Sequence, residues 1–582
     1  MTYFKILRKW LSLEHFRHQL ARVDALPQLA ILGLMAGLVT GSTMLVLRWL
    51  IEGPALLLMP NGLAENFEAL PWSVRLLLPI GTGLAIGLLL TWLKPTTRKA
   101  GIGYVIERLA LHQGHLPMRN SLVQLVTGVT AIIGGLSAGR EGPAVHIGAG
   151  ASSWLGRRLR LPNNSIRLLV GSGTAAAIAA SFNTPLAGVI FAMEVVLLEY
   201  TIAGFTPVIL AAFSAAALNQ VFYGSSPAFD VPPLGLHSLL ELGWIMLMGV
   251  VIGTLSASFV MIARRVQSLP LPSLWLRGLL AGILTGVAGC FLPEVMGIGY
   301  DSLDQILNGQ MLFGMMLALS LSKLILTAVT AGLGLPIGII GPILVVGAAF
   351  GGAFGVLGDG LLSVKAADSS LYAMLGMAAM MGAVLQAPLA ALMALLEMTH
   401  NTQIVLPSML VVIVAEMMHS ALFRRPSYFI AMLNGQGIYP RQQPLAQALS
   451  RVSVAAIMDR NVLRAPRVIN TEKGEKLLQQ RPQWIALEQQ EGQKSERIIL
   501  PAAALARWLD EHHDPEEKLD LLEIPAARLL ASPIHLEATL QEADEEMRQY
   551  GVEALYVRHM HAPTLHRISG IITREQIETH YR

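Results

Sequence analysis

The sequence predicts an all-α polytopic membrane protein with an inverted repeat of broken and re-entrant helices, followed by a smaller soluble α/β domain. Three observations predict this: an apolar composition, an internal duplication, and an abrupt change to polar sequence near residue 435. Hydrophobic residues make up 53% of the 582 residues and charged residues only 14%, against about 25% charged in ordinary soluble domains. Apolar stretches long enough to cross a bilayer recur between residues 27 and 422.

Charge and cysteine usage exclude several classes of protein. The net charge of +3 is too small to favour a nucleic-acid partner. The single cysteine, Cys290, excludes an intrachain disulfide, and we expect neither a cofactor nor a bound metal. Residues 1–26 are basic and amphipathic and run into an apolar span without a cleavage site, which predicts a cytoplasmic helix at the membrane interface.

An internal duplication divides the apolar part into two membrane repeats, which we place at 27–225 and 226–435. A glutamate follows the last landmark of each repeat at the same distance, and we expect Glu194 and Glu397 to have fold roles such as hydrogen bonds to buried backbone. Paired, interrupted apolar segments are typical of inverted-repeat transporters, whose broken helices meet near the middle of the membrane. The landmarks are GIGY at 101–104 and 297–300, a glycine–proline break at 139–143 and 338–342, and Pro-Leu-Ala at 185–187 and 388–390.

The first break, GREGP at 139–143, is the candidate site. Its proline suits the first turn of a new helix, and the exposed N–H groups and dipole of a helix start favour an anion. Arg140 and Glu141 lie among apolar segments, where ionisable residues are costly and usually functional. We therefore expect an anion site inside the membrane, for which the Glu141 carboxylate competes. Because protonated Glu141 would no longer compete, acid should open the pathway.

These landmarks resemble the CLC family of chloride channels and chloride/proton antiporters over about residues 20–435. The resemblance rests on the two breaks, on FNTPLAG at 182–188 and on RPSY at 425–428. It implies a CLC-type fold that pairs as a homodimer, with a separate chloride pathway in each subunit. A protein of this kind is a transporter and not an enzyme.

The resemblance also assigns residues. Glu141 matches the gate, Tyr428 matches a tyrosine whose hydroxyl meets the central anion from the inner side, and backbone amides match those that hold the anion. Simpler alternatives stay open: a helix-start carboxylate for Glu141, a membrane-interface anchor for Tyr428 and a structural charge for Arg140. We interpret His146 as a packed core residue. The chloride-binding amides lie around Gly139, Arg140, Glu141, Gly142, Ile339 and Ile340.

Two positions depart from the family pattern. Ala100 stands where many members have a serine that binds the central anion. Val195 stands where proton-coupled members have an internal glutamate, and valine cannot relay a proton. This favours a chloride channel over the alternative, a chloride/proton antiporter. A fluoride exporter is less favoured, because Pro143 is retained.

Residues 436–582 resemble a pair of CBS modules, with predicted strands at 484–487, 498–500, 554–557 and 570–572. Arg574 follows Thr573 where nucleotide-binding modules place an aspartate, which disfavours a nucleotide ligand. An even number of crossings puts both termini in the cytoplasm, and the short loops suggest a bacterial inner membrane. The expected partners are chloride, membrane lipid and a second copy of the chain.

Overall fold

The computed structural model describes residues 26–59, 65–224, 229, 235–236, 238–361, 367–440, 448–487, 497–512, 518–558 and 568–579. Among these residues, nine helices are long and apolar enough to cross a membrane. The interfacial helix predicted over 1–26 lies outside the described residues, apart from Leu26, which begins the first helix. The described chain separates into a helical unit, residues 29–159 and 166–441, and a second unit that contains residues 442–582.

The helical unit contains seventeen α-helices in its described part, several of them broken by glycine, proline or short 3₁₀ and π-helical turns. In the first repeat they are α1 Leu26–Leu58, α2 Trp72–Trp92, α3 Ile102–Leu111, α4 Met118–Ile133, α5 Glu141–Arg158, α6 Asn163–Phe182, α7 Pro185–Phe191 and α8 Ile202–Tyr223. In the second they are α9 Glu241–Gln267, α10 Leu274–Phe291, α11 Tyr300–Leu307, α12 Phe313–Gly332, α13 Ile340–Leu361, α14 Ser369–Leu385, α15 Pro388–Thr399, α16 Val405–Met417 and α17 Tyr428–Asn434.

Small residues let these helices pack backbone against backbone, as expected where lipid supplies no hydrophobic drive for helix association. A Cβ on Gly148 of α5 would lie 2.7 Å from the carbonyl oxygen of Gly173 in α6. In the second repeat, a Cβ on Gly347 of α13 would lie 2.4 Å from the carbonyl oxygen of Gly376 in α14. The two repeats therefore use the same close crossing at corresponding places.

The two predicted chain breaks meet. The amide of Gly139 donates a 2.7 Å hydrogen bond to the carbonyl of Gly338, and the two glycines form an isolated antiparallel bridge. Helix α5 begins two residues after Gly139, and α13 begins two residues after Gly338. The starts of α5 and α13 consequently lie next to one another in the buried interior. This confirms the prediction that the chain breaks of the two repeats meet.

The repeated glutamates cap each other's helices. Glu397 accepts hydrogen bonds from the amides of Leu186 and Ala187, at 2.9 and 2.7 Å, at the start of α7. Glu194 does the same for Leu389 and Ala390, at 3.3 and 2.8 Å, at the start of α15. These amides have no intrahelical partner and lie in an apolar setting, so each carboxylate satisfies them. The predicted fold role of Glu194 and Glu397 is confirmed.

The second unit is an α/β domain with a six-stranded sheet in the order β1-β3-β4-β6-β7-β8 and a β2-β5 ribbon. All four predicted strands are confirmed, and a capping box of Thr539 and Glu542 starts the helix Leu540–Tyr550. Its strands are β1 Val462–Ala465, β2 Val468–Asn470, β3 Trp484–Leu487, β4 Arg497–Pro501, β5 Lys518–Asp520, β6 Leu529–His535, β7 Ala554–Arg558 and β8 Gly570–Thr573. Its helices are α18 Val454–Ile457, α19 Thr471–Gln479, α20 Ala502–Glu511, α21 Leu540–Tyr550 and α22 Arg574–Thr579.

Candidate anion site

Glu141 is the first residue of α5 and is fully buried, with 0% of its surface exposed. Its Oε2 accepts a 3.1 Å hydrogen bond from the amide of Gly341, in the first turn of α13. Its Oε1 accepts a hydrogen bond from the Tyr300 hydroxyl. The carboxylate therefore occupies the start of the helix of the other repeat, which is where a helix dipole and unpaired amides favour an anion.

The predicted chloride-binding residues do not all keep a free amide in this state. The Gly139 amide is bound to Gly338, so it can serve an anion only if that bridge opens. Ile339 and Ile340 directly precede Gly341 in the chain, and the amide that binds the carboxylate belongs to Gly341, which sequence reasoning missed. Its position in the first turn of α13, one residue after Ile340, is the signal that could have found it.

Arg140 is held by both repeats. Its Nη2 donates a 2.7 Å hydrogen bond to the carbonyl of Ser181, and its Nε lies 3.9 Å from Glu141 Oε1. Its guanidinium also lies 5.2 Å from the centre of the Tyr300 ring. The structural interpretation of Arg140 is confirmed by the Ser181 bond, and the same charge supplies positive potential beside the site.

Two cavities of the helical unit are lined by residues of the candidate site. The first, of about 490 Å³, is lined by Arg140 and Tyr300 and is called here the Arg140 cavity. The second, of about 420 Å³, is lined by Ala100 and Tyr428 and is called the Tyr428 cavity. Glu141 lines neither of them. Its side chain is buried in protein, whereas Arg140 and Tyr300, which lie against it, border the Arg140 cavity.

The Tyr428 cavity is suited to anions. Three of its lining side chains are basic, Arg98, Lys99 and Arg277, and one is acidic, Glu107. Lys99 pairs with Glu107 at 2.7 Å. Excess positive charge along a cleft attracts anions to it. Ala100 and Tyr428 therefore line the same cavity, whose charged side chains are mostly basic.

Val195 is buried in the π-helical turn Ala192–Leu197 that continues α7. It lines a third cavity of about 530 Å³, together with Glu194, Arg424 and Arg425. The position that the sequence singled out for proton entry thus adjoins open space, although valine itself carries no proton.

Two buried polar side chains of the helical unit have contacts that the sequence did not predict: His146, which was interpreted only as a core residue, and Lys323, which was not assigned. His146 is fully buried; its Nδ1 accepts a 3.0 Å hydrogen bond from the Gly101 amide, and its ring lies 5.7 Å from that of Tyr104. It packs in the core, as predicted, and it also fixes the chain next to Ala100. Lys323, fully buried in α12, was missed; its ammonium donates to the carbonyls of Val295 and Gly297 at 3.1 and 3.2 Å.

With this geometry established, comparison with known proteins decides the family. Residues 82–420, more than half of the chain, match the family described as "Voltage gated chloride channel". The chain belongs to this CLC family. The predicted family, the multi-pass membrane character and the transport of anions are thereby confirmed.

Individual CLC proteins resemble the chain at moderate identity. A "Putative chloride channel protein ClcB-like" from Ralstonia nicotianae is 33% identical over 373 residues, which are 62% of this chain and 85% of that protein. An "H(+)/Cl(-) exchange transporter ClcA" from Vibrio cholerae serotype O1 is 30% identical over 329 residues, 54% of this chain and 68% of that protein. Among solved structures, a "slow cyanobacterial Cl-/H+ antiporter" superposes with a TM-score of 0.62 at 23% identity, covering 70% of this chain and 97% of that one, which shows the CLC fold.

Proposed function

We propose that the protein conducts chloride through a separate pathway in each subunit of a homodimer, with Glu141 as the gate, and that conduction is channel-like. The observation that supports the gating role of Glu141 is the 3.1 Å hydrogen bond that its carboxylate accepts from the Gly341 amide at the start of α13. A carboxylate and a halide bind such a position through the same donors, so one excludes the other. Backbone amides supply partial charge without a fixed cation, which permits release as well as binding.

The channel-like mechanism rests on Val195. A proton that crosses the protein in exchange for chloride needs titratable groups along its path, and Val195 provides none at the position where proton-coupled members carry a glutamate. A chloride/proton antiporter is the second candidate. It is favoured by Glu194, whose carboxylate lines the same cavity as Val195, and by relatives that carry the name of exchange transporter. A fluoride exporter is the least favoured, since Pro143 is retained.

A flux experiment separates these candidates. The full-length protein is reconstituted into liposomes, a chloride gradient is imposed, and chloride and proton movements are followed with two electrodes. We expect chloride efflux without uphill proton movement. Sustained proton pumping against its gradient would establish the antiporter and overturn the channel. Fluoride efflux that far exceeds chloride efflux would instead establish the exporter, and protein-free liposomes provide the baseline.

The location, topology and oligomeric state of the protein are proposed from its resemblance to the CLC family. We infer a bacterial inner membrane, both termini in the cytoplasm, and a homodimer surrounded by lipid. On this assignment the Tyr428 cavity faces the cytoplasm and the Arg140 cavity faces outward. The CBS-like domain is proposed as structural and not nucleotide-binding, because the Thr573 hydroxyl accepts from the Gln576 amide at 3.3 Å and thereby caps α22.

A further inference from the structure

We propose that Tyr300 is the latch of the closed gate: a positioning residue whose hydroxyl holds the Glu141 carboxylate in the plugging position and so sets how acidic the solution must be before anions flow. This inference rests on the proposed role of Glu141 as the gate. It adds a residue that neither the break motifs nor the family resemblance assigned, at the end of a landmark that the sequence marked only as a repeat.

The first support is the contact itself. The Tyr300 hydroxyl donates to Glu141 Oε1, while the Gly341 amide donates to Oε2. A displacing anion can take over the Gly341 amide, because a helix start binds either anion alike. The phenol bond, in contrast, is strongest to an ionised carboxylate and weaker to a neutral acid. Tyr300 therefore adds stability to the closed, ionised state in particular.

The second support is that the tyrosine ring is held in place. Its centre lies 6.2 Å from that of Phe182 and 6.0 Å from that of Phe229, the latter edge-on. The Arg140 guanidinium lies 5.2 Å from the ring centre and adds a cation–π contact. Aromatic packing of this kind restricts the ring, so the hydroxyl stays directed at the carboxylate.

The third support is the backbone that carries the ring. Glu65 Oε2 accepts hydrogen bonds from the amides of Gly299 and Tyr300, at 3.1 and 2.9 Å. Gly299 has a φ of 87°, a left-handed conformation that favours glycine. Lys323 binds the carbonyls of the preceding segment, including that of Gly297 at 3.2 Å. The chain entering α11 is thus fixed on two sides, which gives the latch a rigid base.

Several titratable and charged groups surround the latch and belong in any account of its pH dependence. Arg140 and Glu65 lie within electrostatic range of Tyr300, and Glu52 lies within range of Arg140. Asp301 and Lys323 in turn lie near Glu65. Glu65 lies in the connection between α1 and α2, outside both spans; its desolvation, reinforced by Asp301, raises the pKa of Glu65 to about 6. Acid that protonates Glu65 would weaken the hydrogen bonds that its carboxylate accepts from the amides of Gly299 and Tyr300. This effect and the protonation of Glu141 would both favour the open state.

The repeat shows that this contact is specific to one half. Tyr104, the counterpart of Tyr300 in the first repeat, packs on His146 and lines the Tyr428 cavity. The counterpart of Glu141 in the second break is Ile340, which has no carboxylate to bind. The same motif therefore supplies packing in one repeat and a hydrogen bond to the gate in the other.

The test is Tyr300→Phe, which keeps the ring and removes the hydroxyl. We expect the pH of half-maximal chloride flux to rise by about one unit or more, since a hydrogen bond to a charged group is equivalent to about one to two pH units. Tyr372→Phe is the matched control, because the Tyr372 hydroxyl donates a 3.0 Å hydrogen bond to another buried carboxylate, that of Glu241. The control should keep the wild-type pH profile, and an equal shift in the control would overturn the latch.

A second comparison separates a latch from a merely structural residue. In a Glu141→Gln background, adding Tyr300→Phe should leave flux unchanged within about twofold, because the ionised partner is already absent. Incorporation of fluorotyrosine at position 300, a stronger donor of nearly the same shape, should shift the profile to lower pH and covers the case in which Tyr300→Phe does not fold. If Glu141→Gln removes acid activation but neither Tyr300 variant shifts it, the latch is wrong while the gate stands. If Glu141→Gln itself leaves the profile intact, the gate is wrong.

Discussion

The two membrane repeats share their scaffold and differ in their chemistry. Each has a glycine crossing between a break helix and its neighbour, and each sends one glutamate to cap a helix of the other. At the breaks, however, the two repeats differ: the first has Glu141 at the position where the second has Ile340. Features that maintain the fold are therefore duplicated, and the carboxylate that we propose as the gate is present once.

A second pair of residues shows the same division. Gln124 and Lys323 lie at the same distance before the breaks of their repeats. Gln124 donates a 2.8 Å hydrogen bond to the carbonyl of Pro336, and Lys323 binds Val295 at 3.1 Å. Both side chains donate hydrogen bonds to backbone carbonyls, but only the lysine brings a charge. The duplicated framework therefore carries charge at this position in only one of the two repeats.

The largest expected effect comes from removing the Glu141 charge, which distinguishes the first break from the second. Glu141→Gln removes the charge that occupies the start of α13, so we expect flux in neutral buffer to rise by about tenfold or more, as the loss of charged hydrogen bonds implies. Flux should also lose its acid activation. Chloride efflux from liposomes in neutral and acidic buffer measures both.

Asp359→Asn, which neutralises an exposed carboxylate of α13, is the control for that experiment and should behave as wild type. Acid activation that survives in Glu141→Gln would show that the plug lies elsewhere.

The next effect concerns the duplicated feature. Glu194→Gln and Glu397→Gln each weaken two hydrogen bonds from helix-start amides, so each should lower the free energy of unfolding by about 2 to 4 kcal/mol. The two losses should be similar and should add in the double variant, because the caps share no partner. Equilibrium unfolding in detergent measures them, with Asp359→Asn as reference. A loss confined to one variant would break the proposed equivalence of the repeats.

The smallest effect concerns the missing hydroxyl. Ala100→Ser should strengthen chloride binding by about 1 kcal/mol, the usual net contribution of a neutral hydrogen bond. Calorimetric titration of chloride measures it, with the exposed Ala527→Ser as control. Unchanged affinity would mean that Ala100 does not face the central anion, although it lines the Tyr428 cavity.

The sequence was sufficient for the features that repeat. Two breaks at matching positions predicted that the halves meet, and Gly139 and Gly338 are hydrogen-bonded. A matched glutamate after each Pro-Leu-Ala predicted backbone capping, and Glu194 and Glu397 do cap helices. Repetition is informative because a constraint imposed by the fold has to be satisfied twice.

The contacts of the gate were not predictable in the same way. Tyr300 and Glu141 lie 159 positions apart, and no spacing rule connects them. The duplicate of Tyr300, Tyr104, contacts a histidine, so the repeat pattern by itself suggested nothing about a carboxylate. Lys323 lies within an apolar helix, and only the carbonyls gathered around its ammonium reveal what it stabilises. Such contacts depend on how one repeat is inverted against the other, which is a property of the folded chain.

The exchange of caps between Glu194 and Glu397 bears on biogenesis. Until the ribosome has delivered the second half, the amides of Leu186 and Ala187 lack the carboxylate that satisfies them in the finished protein. A half-made chain therefore lacks the acceptor for these amides, and an unsatisfied backbone group in hydrocarbon costs several kcal/mol. We therefore expect the first half to complete its packing only after the helix that carries Glu397 has been inserted.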